Sequence, residues 1–356
     1  MDPIRLTREL VSLETPTFRE GPAVELLEHE LRRAGCHVEK QPVSPNRANL
    51  YAYRDPPVVV LSTHLDCVPP YVPLREDDAA LHGRGTCDAK GPAAAMVAAA
   101  ERLADEGERR VGLLFLVGEE NGSDGALAAQ RLAPKGRYLV NGEPTENRLA
   151  IGQKGSLRMD LEAEGRAAHS AYPEEGASAI DALLDSLERI RRLPLPSDPL
   201  LGKGTLNVGL IAGGVAPNVL APHASAQVLF RTVEPTGPLK AAVAAALAPG
   251  VTVRAAVELP CHKAPALPGW DTTVVSFASD LPLLSDWGVG YQMGPGSIKV
   301  AHTEREYILK QDLLEGVELY VRLVHELASG LGKGEKGKGK GEKGTGNGER
   351  GTGKKG

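Results

Sequence analysis

Three short apolar runs, at residues 58–61, 111–117 and 138–140, end directly in residues that can ionise, and this pattern constrains the fold more than any other feature of the chain. His64 and Asp66 follow the first run, Glu119 and Glu120 the second, and Glu143 the third. Helical patterns at 22–34 and 91–103 alternate with the runs. Strands alternating with helices predict an α/β layer on a largely parallel sheet. In open α/β sheets the chemistry gathers at the carboxyl ends of strands, so these side chains should share one crevice.

The pattern changes after Gly155. Residues 157–163 alternate as an amphipathic strand, 177–192 read as a helix, and 205–211 and 224–233 read as strands. A second helix follows at 239–247 and a last strand at 251–257. That order is a split βαβ unit, an α+β sandwich of the ferredoxin-like kind. It predicts an inserted lid, residues 157–258, in a catalytic domain built from residues 1–156 and 259–331. A chain of 356 residues is long enough for two such cores. The returning segment should carry a helix around 271–279, a Gly-rich loop at 288–297 and a final helix at 310–331.

Residues 332–356 hold eight Lys or Arg against three Glu and nothing apolar, which predicts a disordered tail. No aromatic is interleaved there to stack on bases, so nucleic acid is not an expected partner. Cys36, Cys67, Cys87 and Cys261 form no C-x-x-C pair and read as reduced thiols. With no basic-then-apolar leader and no apolar run of membrane length, the expected location is cytoplasmic, away from membranes.

His64 and Asp66, two apart on a strand, point to the same side. The Asp66 carboxylate could therefore bond the far nitrogen of a metal-bound His64. Asp88 lies in H-G-R-G-T-C-D-A-K-G-P, a glycine-dense loop opening onto the Ala-rich helix. Glu119 and Glu120 are adjacent acids that would diverge on extended backbone, one ligating while the other faces water. Glu143 stands in N-G-E-P-T, and His302 in A-H-T-E-R-E-Y-I behind Gly294 and Gly296. Singly, each has an ordinary structural reading: a strand-end polar pair, a helix N-cap, a solvated acidic turn, a surface histidine. Jointly, five segments each supply a ligand type that a di-metal hydrolase needs.

With these motifs in order, the chain resembles the co-catalytic di-zinc amidohydrolases related to acetylornithine deacetylase, succinyl-diaminopimelate desuccinylase and carboxypeptidase G. The resemblance implies that His64 and Glu143 hold one zinc, Glu120 and His302 the other, and that Asp88 bridges them. It makes Glu119 the general base and Asp66 the residue that orients His64, and it implies a cis peptide between Asp88 and Ala89. A donor set without thiolate suits two Zn²⁺, with Co²⁺ or Mn²⁺ as substitutes. By the same match, His169, in G-R-A-A-H-S-A-Y-P, would steady the oxyanion, often from the partner subunit of a homodimer formed through the lid. Asn218 and Arg231 fall at positions associated with substrate binding.

The implied substrate is a small N-acyl amino acid. Desuccinylases resemble G-T-S-D, a small residue, then R-F before the Gly-rich loop, whereas this chain reads F-A-S-D-L-P-L-L. The missing Arg counts against a dicarboxylic substrate and favours acetylornithine-like deacylation. Asp280 would then meet a cationic side chain, or serve only as a helix-terminal acid. The alternatives are a desuccinylase, a carboxypeptidase or dipeptidase, and more remotely a metal-free binding protein.

Overall fold

The three apolar runs form adjacent parallel strands at the centre of a nine-stranded sheet in the computed structural model, which describes residues 1–330. In chain order the sheet's strands begin with β1 (His37–Ser44), β2 (Arg47–Tyr53), β3 (Val59–His64), β4 (Val111–Leu116), β5 (Tyr138–Asn141) and β6 (Leu149–Gln153). The lid strands β7 (Gly155–Glu164), β8 (Thr205–Gly213), β9 (His223–Thr232) and β10 (Val251–Leu259) follow, and then β11 (His262–Lys263), β12 (Thr272–Val275) and β13 (Val289–Gln292) rejoin the large sheet. Its order is β1-β2-β4-β3-β5-β13-β6-β11, with β12 beside β6. The four strands β4, β3, β5 and β13 are parallel; β2 and β6 flank them antiparallel, and β1 and β11 pair antiparallel with β2 and β6 in turn. Every residue of β3, β4 and β5 is buried. Near-continuous apolar strands are what a parallel sheet covered on both faces requires.

Helices α1 (Pro3–Val11), α2 (Gly21–Arg33), α3 (Lys90–Asp105) and α4 (Asp124–Ala129) precede the lid, α5 (Ala179–Arg191) and α6 (Gly237–Ala246) belong to it, and α7 (Lys310–Ala328) closes the described chain. α3 is buried from Lys90 through Ala100, and its small side chains let it lie between the sheet, α1 and α7. The opposite face is covered by α4 and the 3₁₀ turn Leu281–Trp287, with Tyr51, Leu114, Leu139 and Trp287 between them.

The segment from β7 to β10 folds as its own antiparallel sheet, in the order β8-β9-β7-β10. Its buried face, including Leu157, Leu161, Val228 and Phe230, packs on Leu183, Ile190 and Val243 of α5 and α6. β8 lies at the edge with Leu210 63% and Ile211 55% exposed.

Two expectations fail in the returning segment. The helix expected around 271–279 is strand β12, because Thr-Thr-Val-Val is β-branched and favours extended backbone. The Gly-rich loop expected at 288–297 begins with β13, which pairs with β5. The disordered tail predicted for 332–356, and the last residue of the predicted final helix, lie outside the described residues.

Candidate metal centre

Three connections at the carboxyl ends of β3, β4 and β5, and the loop before α7, deliver the predicted side chains to one place. His64 is the last residue of β3, and Asp88 ends the glycine loop that opens α3. Glu143 stands two residues beyond β5. His302 adopts φ +61°, left-handed backbone that a non-glycine residue rarely holds.

Asp88 divides its carboxylate between two groups. Its Oδ1 lies 3.2 Å from His64 Nε2, and its Oδ2 lies 3.1 Å from His302 Nε2. His302 Nε2 is also 3.0 Å from Glu120 Oε1. The donor atoms of His64, Asp88 and Glu143 lie within 4.8 Å of one another, and so do those of Asp88, Glu120 and His302. Two triads therefore share one carboxylate. The Asp88–Ala89 peptide is cis.

The environment is short of positive charge. Burial, followed by neighbouring carboxylates, pushes Glu143 up to about 8 and Glu119 well above the usual carboxylate range, and Glu120 is raised for the same reasons. Burial opposes ionisation of Asp88 too, but hydrogen bonds from His302 and His64 outweigh it and hold its pKa below the ordinary value. Hydrogen bonds to Asp88 and Glu120 raise His302 to about 10. Imidazole and carboxylate donors packed this way fit a pair of divalent cations, whose charge would let the glutamates ionise. No thiolate competes: Cys67 and Cys87 are buried, and burial drives both thiols upward.

Asp66 does more than the part expected of it. His64 Nδ1 is 3.0 Å from the Asp66 main-chain carbonyl and 3.5 Å from its carboxylate, so both parts of Asp66 face the ring. The carboxylate also accepts hydrogen bonds from the amides of Gly118 (3.1 Å), Glu119 (3.2 Å) and Glu120 (3.1 Å), and from Thr17 Oγ1 (2.7 Å). Glu119 and Glu120 are not on extended backbone. Gly118, at φ +81°, turns the chain into a 3₁₀ turn, Glu119–Asn121. Glu119 belongs to neither triad.

Arg231 on β9 is half-buried and forms no ion pair among the described residues. It lines a cleft of about 530 Å³ with Pro144, Val274, Phe277, Ile298 and Lys299. Asp280 is 1% exposed and, among the described residues, neither carboxylate oxygen has a hydrogen-bond partner of good geometry; burial, opposed by the nearby Ser123, pushes it up to about 7. His169 and Asn218 are exposed on facing lid loops, where Ser170 N–H donates to the Asn218 carbonyl at 3.0 Å. His169 Nδ1 accepts from Ala171 N–H at 3.1 Å, so its contacts lie within the lid.

Sequence reasoning passed over Thr17 and Glu306. The second had a readable signal: a glycine-dense loop leaves amide N–H groups without ladder partners, and these require an acceptor from elsewhere.

A mixed α/β fold with a lid, and two imidazole–carboxylate triads at the strand ends, suit a hydrolase of the metallopeptidase class. The model of peptidase family M20/M25/M40 matches residues 60–326. A peptidase M20 domain-containing protein of Schizosaccharomyces pombe is 39% identical over 337 residues, covering 90% of this chain and 84% of that protein. A probable carboxypeptidase of Aspergillus clavatus is 36% identical over 364 residues, covering 89% and 80%. Among solved structures, a tripeptidase from Staphylococcus aureus superposes with a TM-score of 0.77 at 20% identity, covering 92% of this chain and 98% of that one. The chain belongs to peptidase family M20/M25/M40 and is a metal-binding hydrolase. No helix among the described residues is long and apolar enough to cross a membrane.

Proposed function

We propose that the protein hydrolyses the amide bond joining an acyl group to an amino acid with a free carboxylate, using two Zn²⁺ held by the two triads. The observation that carries this reading is the pair of triads sharing Asp88. His64 and Glu143 would hold one ion, and Glu120 and His302 the other. When bound, such a pair polarises the scissile carbonyl and lowers the pKa of the attacking water. Co²⁺ or Mn²⁺ would suit the same donors.

Glu119 is the proposed base. Among the described residues its carboxylate has no side-chain hydrogen bond, while Asp66 holds its backbone amide at 3.2 Å. It takes the proton of the attacking water and returns it to the leaving amine. Arg231 supplies a guanidinium for the substrate carboxylate in the cleft next to Glu143, where Lys299 and Arg148 are already paired with Glu146 and Asp271.

On the substrate, the reading is acetylornithine deacetylase-like: a short cationic side chain would give Asp280 the countercharge it lacks. Carboxypeptidase or dipeptidase action on unmodified peptides is the second reading, favoured by relatives named as probable carboxypeptidases. We also propose a homodimer through the lid, with the partner subunit's His169 steadying the oxyanion. Its support is the exposed edge of β8 and the position of His169 among lid residues. Four cysteines without a disulfide suit a reducing, cytoplasmic setting.

The test is a turnover panel with Zn²⁺ or Co²⁺ restored: N-acetyl-ornithine, N-succinyl-diaminopimelate and unmodified dipeptides. Glu119→Gln should keep two metals and lose at least about 10³-fold in kcat. Wild-type turnover by a two-metal Glu119→Gln protein overturns the mechanism, and cleavage of dipeptides alone selects the second reading.

A further inference from the structure

We infer that Glu306 is a positioning residue for the metal pair, its carboxylate locking the loop that bears Asp88 to the loop that bears His302. The inference rests on the metal centre proposed above. Glu306 follows His302 by four residues and is 1% exposed. One of its oxygens, Oε1, accepts hydrogen bonds from the backbone N–H groups of Gly85 at 2.9 Å, Cys87 at 3.3 Å and Asp88 at 3.3 Å. Amides of a tight loop that converge on one point make a small anion cradle, here filled by a side chain from 218 residues away.

The other oxygen, Oε2, accepts from Arg84 Nη1 at 2.7 Å. Arg84 is 3% exposed and also donates to the carbonyls of Thr303 at 3.1 Å and Pro70 at 3.3 Å. The ion pair thus ties three loops together around Asp88. These loops have little slack. A β-carbon on Gly85 would lie 2.6 Å from Cys67 Sγ, and one on Gly296 would lie 2.5 Å from Cys87 Cβ.

The consequence for the site follows from how Asp88 is used. It offers one oxygen toward His64 and the other toward His302. A rotation of its loop would therefore disturb both triads at once. Glu306 fixes that loop to the segment that keeps His302 in its left-handed conformation. It touches neither triad's donor atoms, so it acts through Asp88 and His302 rather than on the substrate.

The experiment is a Co²⁺ titration of metal-stripped full-length protein, followed by visible absorption and a metal count, with kcat and KM measured alongside. It is done at a temperature where circular dichroism shows each variant folded. Wild type should bind two Co²⁺; failure to do so rejects the metal-centre reading itself. Given two in wild type, Glu306→Gln should weaken at least one site about 10–100-fold and lower kcat by a similar factor, with KM within about threefold. Wild-type affinity for both ions and wild-type kcat in folded Glu306→Gln overturn the inference. If that variant does not fold, Arg84→Lys decides on the same readouts, since it keeps the charge but gives up the forked contacts to Thr303 and Pro70.

Discussion

Asp66 accepts hydrogen bonds from three consecutive amides, those of Gly118, Glu119 and Glu120, so removing its carboxylate unhooks the turn that presents both glutamates. Asp66→Ala should lower kcat about 10–100-fold with most metal retained, whereas His64→Ala should empty or weaken one metal position. Thr17→Val, which removes one hydrogen bond to the same carboxylate, should cost about 1 kcal/mol of stability and less than tenfold in kcat. Metal counts and steady-state kinetics on the three variants check the order. Equal metal loss in Asp66→Ala and His64→Ala would mean that Asp66 acts through the histidine after all. At this scale the sequence was legible for residue type and position: His64, Asp88, Glu120, Glu143 and His302 do converge. It was not legible for which atom touches which. The spacing of His64 and Asp66 fits a carboxylate contact as well as the carbonyl contact found, and the glycine loop's amides call for an acceptor without naming Glu306 as its source.

The elements that position the site were readable where burial imposed a pattern. β3, β4 and β5 are buried throughout, so their apolar runs were unbroken, and α3 announced itself by its alanines. β1 was not readable, because its burial alternates poorly and its residues 39–41 are Glu, Lys and Gln. β12 was misread because four residues are too few to set a helix period against a strand period. The turn after β4 shows how narrow the tolerance is. Gly118 at φ +81° has Asp124 Oδ1 and Arg47 Nη2 where a β-carbon would go. Arg47, buried, is itself paired with Glu20 at 2.8 Å and with Asp124. Gly118→Ala should therefore cost at least about 1–2 kcal/mol from the left-handed backbone alone. It should also cut kcat more than tenfold, since Glu119 and Glu120 follow directly. Urea unfolding and kinetics measure both; an unchanged midpoint with unchanged kcat would show that the turn relaxes freely.

The whole molecule joins an α/β layer to a lid that carries Arg231 toward the site and His169 within the lid itself. The lid's strand and helix order was legible because its two central strands, β7 and β9, alternate along their length, but no local pattern encodes which metal centre His169 serves. If the partner subunit's His169 completes each site, two inactive proteins should repair one another. His169→Ala and Glu119→Ala each destroy one of the two contributions. Mixed under conditions that exchange subunits, half the dimers become mixed, and each mixed dimer carries one site with both residues intact. Activity should rise to roughly a quarter of wild type, well above the sum of the parents. Leu210→Glu on the exposed edge of β8 should weaken the same dimer and lower kcat in step with the fraction of monomer measured by light scattering. Activity that stays at the sum of the parents after verified subunit exchange would assign His169 to its own chain's site, or to none.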